Sequence, residues 1–287
     1  MRLYPLAMAY LRYDGQRLAY TVHGQGPRTT VLMPGLLLSQ RMQTPLARDL
    51  AHHGNRVITF DPLGHGASDR PRDMWRYSMQ AFAKQTVALL DHLGIDQAVV
   101  GGTSLGANIT LEVAAIAPGR LRGMIIEMPV LDNAIPAAMA AFTPTLFALT
   151  FGEPVMQVLA RVARTVPRWR LPFMLELVLD MLSQHPGESG AVLQGILFGR
   201  TAPDRSVRRT FTTPALVIGH PRDPLHPFSD ADMLAGELPN ARLIDANSII
   251  ELRVNPARLT QKIAEFVDGC WGAGAAEDLV GRSAASA

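Results

Sequence analysis

A serine between closely spaced glycines, Ser104, has the setting in this sequence that best fits nucleophilic chemistry. It lies in the run Gly101-Gly102-Thr103-Ser104-Leu105-Gly106, which contains the pattern G-x-S-x-G. A serine hydroxyl is a weak nucleophile until a base removes its proton, and an acyl carbon is the electrophile that it commonly attacks. The sequence therefore favours acyl transfer through Ser104, with a base and an orienting acid beside it.

Candidates for that base and acid follow predicted strands. In the loop Asp223-Pro224-Leu225-His226-Pro227, His226 is the best candidate for the base and Asp223 for the acid. Glu127 is the second choice of acid and could orient His226 if Asp223 is too near in sequence; Asp132 is the third. The alternatives are a turn aspartate, a histidine that packs at the loop surface, and a buried Glu127 paired to the segment that follows it.

A strand and a helix must position Ser104. Residues 97–100 form a short β-branched run, and residues 107–117 have the length and composition of a buried helix. Strand, G-x-S-x-G and helix together predict a nucleophile elbow, in which glycines are needed where strand and helix nearly touch. The backbone N–H groups of Leu105 and Leu36 are the natural donors to an oxyanion above Ser104.

Strands and helices alternate along most of the chain. Runs of buried character predict strands at residues 10–13, 18–22, 29–33, 56–60, 121–127, 214–218 and 242–245. Helical patterns cover residues 42–53, 78–93, 229–238 and 256–267. This alternation predicts an α/β fold with a mostly parallel sheet covered on both faces.

Strand signals disappear after residue 127 and return near residue 214. The spacing between them is helical and broken by prolines. We therefore predict an α/β core in two parts, residues 1–127 and 201–269, with a helical cap at residues 128–200. Residues 270–287 are rich in alanine, glycine and serine and are predicted to be a disordered tail.

Two features of the predicted cap bear on what it contacts. Its methionines, which lie among other apolar residues, could cover an apolar pocket or could belong to ordinary helix packing. Four arginines form a basic run that is either a solvated face or an attraction for an anionic or membrane-associated substrate. These arginines are Arg161, Arg164, Arg168 and Arg170.

With these motifs in order, the chain resembles α/β-hydrolase fold proteins that carry a helical cap, over about residues 10–267. Pro34-Gly35-Leu36 is similar to the oxyanion loop, and residues 61–68 resemble the segment D-x-x-G-x-G-x-S. Residues 219–223 are similar to the loop that carries the catalytic acid. The resemblance implies a serine hydrolase; dehalogenases and epoxide hydrolases are disfavoured, because they need aspartate where this elbow has Ser104.

Two positions depart from the family pattern. Pro34 stands where the family usually has a histidine, a mostly structural residue. The larger departure concerns the catalytic histidine, which in the family follows the eighth strand. Residues 245–256 contain no histidine, and the last histidine of the chain is His226. That position is why we consider His226 as the base.

Composition limits the remaining possibilities. Hydrophobic residues make up 48% of the 287, and the formal net charge of +2 does not point to nucleic acid. No uninterrupted apolar run is long enough for a transmembrane helix, and residues 1–10 are too short and broken for a secretory signal. The single cysteine, Cys270, excludes an internal disulfide and favours a cytoplasmic location.

The leading hypothesis is a serine hydrolase acting on an ester, thioester or lactone of a small apolar molecule through a Ser104 acyl-enzyme. The alternative is a member of the fold with a degenerate triad that binds a hydrophobic small molecule or performs a non-hydrolytic reaction. No residues have metal-ligand spacing and no G-x-G-x-x-G follows the first strands, so we predict no metal or cofactor. The oligomeric state stays open.

Overall fold

One eight-stranded sheet organises residues 8–167 and 171–272, the parts of the chain described by this computed structural model. The spatial order of its strands is β1-β2-β4-β3-β5-β6-β7-β8. The strands are β1 (Met8–Tyr13), β2 (Gln16–His23), β3 (Thr29–Met33), β4 (Arg56–Phe60), β5 (Ala98–Thr103), β6 (Leu121–Glu127), β7 (Ala215–Gly219) and β8 (Ala241–Asp245). Strand β2 pairs antiparallel with β1 and β4, and the other pairs are parallel. The predicted α/β-hydrolase architecture, a mostly parallel sheet, is confirmed.

Neighbouring residues of a strand point to opposite faces of the sheet. Both faces carry apolar residues, so helices pack on both of them. Val31 belongs to the apolar cluster that includes α2 and α3, whereas Leu32 belongs to the cluster on the other face. The described helices are α1 (Thr44–His52), α2 (Met79–His92), α3 (Leu105–Ile116), α4 (Ile135–Phe151), α5 (Glu153–Thr165), α6 (Phe173–Leu182), α7 (Pro186–Leu197), α8 (Arg205–Arg208), α9 (Phe228–Glu237), α10 (Glu251–Val254) and α11 (Ala257–Cys270).

Four helices, α4 to α7, occupy most of the segment in which the sequence predicts helical spacing; we call them the inserted helices. Helix α4 contacts α5 and α7, and α5 contacts α6. In the described residues no single helix combines the length and hydropathy needed to cross a bilayer. Helices α4 and α5 reach that criterion only as a pair, and they are bent by 99° at the break between them.

The end of the chain differs in part from the predicted disordered tail. Helix α11 continues to Cys270, three residues beyond its predicted end, because its apolar face still packs on the sheet through Val267. Trp271 and Gly272 follow, and the rest of the predicted tail, residues 273–287, lies outside the described residues.

Candidate active site

The turn at Ser104 is sharp and strained. Its φ is 54° and its ψ −107°, a conformation that costs a non-glycine residue about 1–3 kcal/mol. The turn is held because the Ser104 amide donates to the Glu127 carbonyl at 2.8 Å. A Cβ at Gly102 or Gly106 would lie 2.5 or 2.6 Å from the Met33 carbonyl oxygen, so strand and helix can approach only with glycine at both positions.

The loop after β7 brings an imidazole to the Ser104 hydroxyl. His226 Nε2 lies 2.9 Å from Ser104 Oγ, and His226 Nδ1 lies 2.9 Å from Asp223 Oδ2. A carboxylate only accepts hydrogen bonds, so Nδ1–H donates to Asp223 and Nε2 of the neutral ring accepts from the serine hydroxyl. The three side chains thus form a continuous chain of hydrogen bonds with the geometry of a nucleophile, its base and the base's orienting acid.

Asp223 is fixed by its own loop. Its Oδ1 accepts from the amides of Leu225 and His226, at 2.8 and 3.0 Å, which leaves Oδ2 for the imidazole. Burial works to raise the Asp223 pKa, but the hydrogen bonds from the His226 ring and from the two amides outweigh it and hold the pKa below its usual value. The ionised carboxylate of Asp223 can therefore accept the hydrogen bond from Nδ1–H.

The two amides predicted as oxyanion donors belong to residues that line the same cavity as Ser104. Leu105 is the first residue of α3, where backbone N–H groups have no partner within the helix. Leu36 follows β3 and lines the same cavity. Neither amide donates a hydrogen bond to another described residue, so both remain available to a developing negative charge.

Glu127 lies at the end of β6 and is committed to other partners. Arg253 Nη2 donates to its Oε2 at 2.7 Å, Thr103 Oγ1 also donates to Oε2, and His220 Nε2 lies 3.3 Å from Oε1. Burial would raise its pKa, but Arg253, His220 and Thr103 lower it to about 2. Glu127 is buried, as one of the predicted alternatives has it, but these partners lie outside residues 128–200, so its predicted pairing with the cap is wrong.

Arg253 is the residue of this neighbourhood that sequence reasoning missed. It lies on α10, in the stretch after β8 where the family pattern has its histidine, and its side chain is only 6% exposed. It also donates to Thr103 Oγ1 at 2.7 Å, directly before Ser104. The predicted burial of Glu127 could have indicated a partner of this kind, because a buried carboxylate requires a cation or several donors.

A cavity of about 400 Å³ opens above Ser104, a size suited to a small molecule. Its wall is mostly apolar, and α4 contributes Met139 and Phe142. Arg208 supplies one buried charge: its Nε donates to Glu237 at 2.7 Å, while Nη2 finds no hydrogen-bond partner among the described residues. The third-choice acid, Asp132, is exposed at this cavity.

A second, larger cavity of about 740 Å³ lies between α6 and the part of the sheet formed by β2 and β4. Its lining includes His23, Asp61 and Arg70 but not Ser104, so we place the candidate site in the smaller cavity. Burial lowers the pKa of His23 and of His65 to about 4, which keeps both rings neutral. Within residues 8–167 and 171–272, no three His, Cys, Asp or Glu side chains are grouped to hold a metal ion.

Comparison with known proteins identifies the family of this chain. The family model described as alpha/beta hydrolase fold matches residues 30–247. The chain belongs to the α/β-hydrolase fold family.

Individual relatives match this chain at low sequence identity. Bifunctional epoxide hydrolase 2 of Sus scrofa is 31% identical over 147 residues, 49% of this chain and 26% of that protein. The chain thus spans only about a quarter of that relative. The putative carbamate hydrolase RutD of Pseudomonas savastanoi pv. phaseolicola is 29% identical over 194 residues, 66% of this chain and 73% of the relative. The enol-lactonase from Burkholderia xenovorans LB400 has the same fold, with a TM-score of 0.74, 23% identity and coverage of 90% of this chain and 99% of its own.

Proposed function

We propose that this protein hydrolyses an ester, thioester or lactone of a small, largely apolar molecule through a Ser104 acyl-enzyme. The observation that carries the proposal is the unbroken chain from Ser104 Oγ to His226 and from His226 to Asp223, with 2.9 Å at each contact. Membership of the α/β-hydrolase family and relatives named as hydrolases support hydrolysis in general. The substrate class rests on the chemistry of serine and on the cavity.

In the acylation step, His226 Nε2 takes the proton of Ser104 as Oγ attacks the acyl carbon. The carbonyl electron pair moves to the oxygen, and the amides of Leu36 and Leu105 donate to that oxyanion. When the carbonyl re-forms, the bond to the leaving oxygen or sulfur breaks and the imidazolium returns its proton to the leaving group. Asp223 holds the ring in one tautomer and stabilises its charge.

Deacylation repeats the step with water as nucleophile. His226 removes a proton from the water, the hydroxyl oxygen bonds to the acyl carbon, and Ser104 Oγ leaves with the proton from the imidazolium. The products are a carboxylic acid and an alcohol, or a thiol. A lactone gives both groups on one molecule.

The cavity supports an apolar substrate, and we propose that residues 128–200 act as a cap over it. Helix α4 contributes part of the wall through Met139 and Phe142, which are well suited to an apolar surface.

Epoxide hydrolysis receives less support than ester hydrolysis. The pig epoxide hydrolase matches about half of this chain, but the elbow carries Ser104 where that chemistry needs aspartate. A serine adduct with an epoxide would be an ether, which His226 and water do not readily cleave. An acyl substrate gives a hydrolysable intermediate.

The direct test is turnover of p-nitrophenyl esters of increasing acyl length, followed by rapid acid quench and mass spectrometry of the intact protein. The proposal expects hydrolysis and a mass increase of one acyl group less one hydrogen, which digestion of the quenched protein should locate on the peptide that contains Ser104. A protein that binds these compounds without turnover or adduct would instead fit the alternative, a binding member of the fold.

A further inference from the structure

Apart from Met156, which packs partly buried against the core, helix α5 presents its larger apolar side chains to solvent. Val155, Val158, Leu159 and Val162 recur at helical spacing and are 52–65% exposed. The residues that α5 buries are two alanines, Ala160 and Ala163. A surface helix of a globular protein normally buries its large apolar residues. The reversed arrangement indicates a surface selected to meet something apolar.

Exposed apolar side chains also lie on α4 and α6, two of the helices that contact α5. Leu175, Val178 and Leu182 form an exposed stripe on α6, at 43–46% exposure. At the end of α4, the rings of Phe147 and Phe151 stack on each other at 5.5 Å and are 57% and 78% exposed. We name these three sets of side chains the α5 face. Exposed large apolar side chains grouped on neighbouring helices mark an interaction site.

Helix α5 carries more positive than negative charge: Arg161 and Arg164 lie on it, and Glu153 is its one acidic residue. Both arginines are exposed, and neither pairs with a carboxylate of the described residues. Glu153 pairs with Arg72, and the acidic residues of α6 pair with Arg41. The α5 face therefore combines apolar side chains with two exposed arginines.

We propose that the α5 face docks on the surface of an anionic lipid bilayer, with its valines, leucines and phenylalanines in the acyl boundary and with Arg161 and Arg164 against the head groups. A helix with an exposed apolar stripe and basic residues is the arrangement that binds in a bilayer interface. A second copy of the chain is disfavoured as occupant, because twofold pairing of this face would bring arginine against arginine. The other end of α4 lines the cavity, so docking would place the site beside a source of apolar substrate.

The test is co-sedimentation of the full chain with vesicles of phosphatidylcholine alone or mixed with phosphatidylglycerol in equal parts. We expect binding to the anionic vesicles that weakens at high salt. Arg161→Gln should weaken that binding about fivefold, and Val158→Asp/Val162→Asp should abolish it. The matched control Trp75→Asp/Ile116→Asp adds the same charge at exposed apolar positions elsewhere, 84% and 43% exposed, and should still bind.

Three results would overturn the proposal: wild type that stays in the supernatant with anionic vesicles, a control that loses binding as fully as the test variant, or a wild-type dimer that Val158→Asp/Val162→Asp converts to a monomer without any vesicle binding. Thermal unfolding checks that the variants fold, and Val158→Ser/Val162→Ser replaces the aspartate pair if they do not. Ser104→Ala should bind vesicles as wild type does, so the outcome is independent of the proposed catalysis.

Discussion

Asp223 Oδ2 and His226 Nδ1 lie 2.9 Å apart, and the two residues are only three positions apart in sequence, so a single loop after β7 supplies both groups. The turn makes this possible because Asp223 Oδ1 accepts from the amides of Leu225 and His226, which folds the loop back on the carboxylate. Pro224 and Pro227 restrict the same loop. In this family member the candidate base therefore comes from the acid's own loop and not from the segment after β8.

Asp223→Asn should lower kcat by about 10⁴-fold, because an amide can present its N–H₂ to Nδ1 and hold the ring in the wrong tautomer. The fold should persist, since an asparagine oxygen can still accept from the two loop amides. Steady-state kinetics with an ester substrate measures the change. The control is Asp232→Asn, an exposed aspartate on α9, which should leave kcat within about twofold. Equal loss in both variants would remove Asp223 from the proposed mechanism.

Glu127→Gln should lower the free energy of unfolding at neutral pH by about 3–5 kcal/mol, because it leaves Arg253 buried without its carboxylate. Urea denaturation measures this value, with Glu265→Gln, an exposed carboxylate on α11, as the control. If Glu127→Gln kept its stability and lost activity as Asp223→Asn does, Glu127 would be the orienting acid.

The same carboxylate predicts a pH dependence of stability. Its pKa is lowered from 4.5 to about 2 in the folded protein, so its contribution is complete above about pH 4.5 and is lost as the pH falls toward 2. The unfolding free energy of wild type should therefore fall across this range more steeply than that of Glu127→Gln, and the two curves should converge. Parallel curves would contradict the Glu127–Arg253 assignment.

Gly106→Ala should destabilise the protein by about 1–3 kcal/mol, because the added Cβ would lie 2.6 Å from the Met33 carbonyl oxygen. Helix propensity alone predicts the opposite sign. Gly236→Ala provides the contrast: it is also in a helix, nothing lies within 4 Å of its Cβ position, and it should stabilise by up to about 1 kcal/mol. Two variants that shift the melting temperature in the same direction would argue against the tight elbow.

Most of the fold could be predicted from local patterns in the sequence. Strand β3 agrees with its predicted limits, and β4 does as well, because short buried β-branched runs bounded by turn residues have few other solutions. The short helices α8 and α10 were not predicted, since four-residue helices have no periodicity to detect. The domain boundaries, with a cap at residues 128–200, stay a prediction.

The site was predictable where the signal was local and not where it was long-range. Ser104 is flanked by its own strand and helix, and Asp223 and His226 share a loop. Arg253 reaches Glu127 across 126 residues of chain, and nothing in the sequence around either residue specifies that pair. The sequence also could not show that the apolar stripe of α5 faces solvent, because helical periodicity indicates that an apolar side exists but not which way it faces.

The rate at which a fluorophosphonate probe labels Ser104 shows whether His226 activates this serine, because it reports the reactivity of the hydroxyl without requiring knowledge of the substrate. We predict covalent labelling of wild type at the peptide containing Ser104, no labelling of Ser104→Ala, and a rate constant for His226→Ala that is lower by about 100-fold or more. Labelling of His226→Ala at the wild-type rate, or a wild-type protein that does not label, would contradict the account.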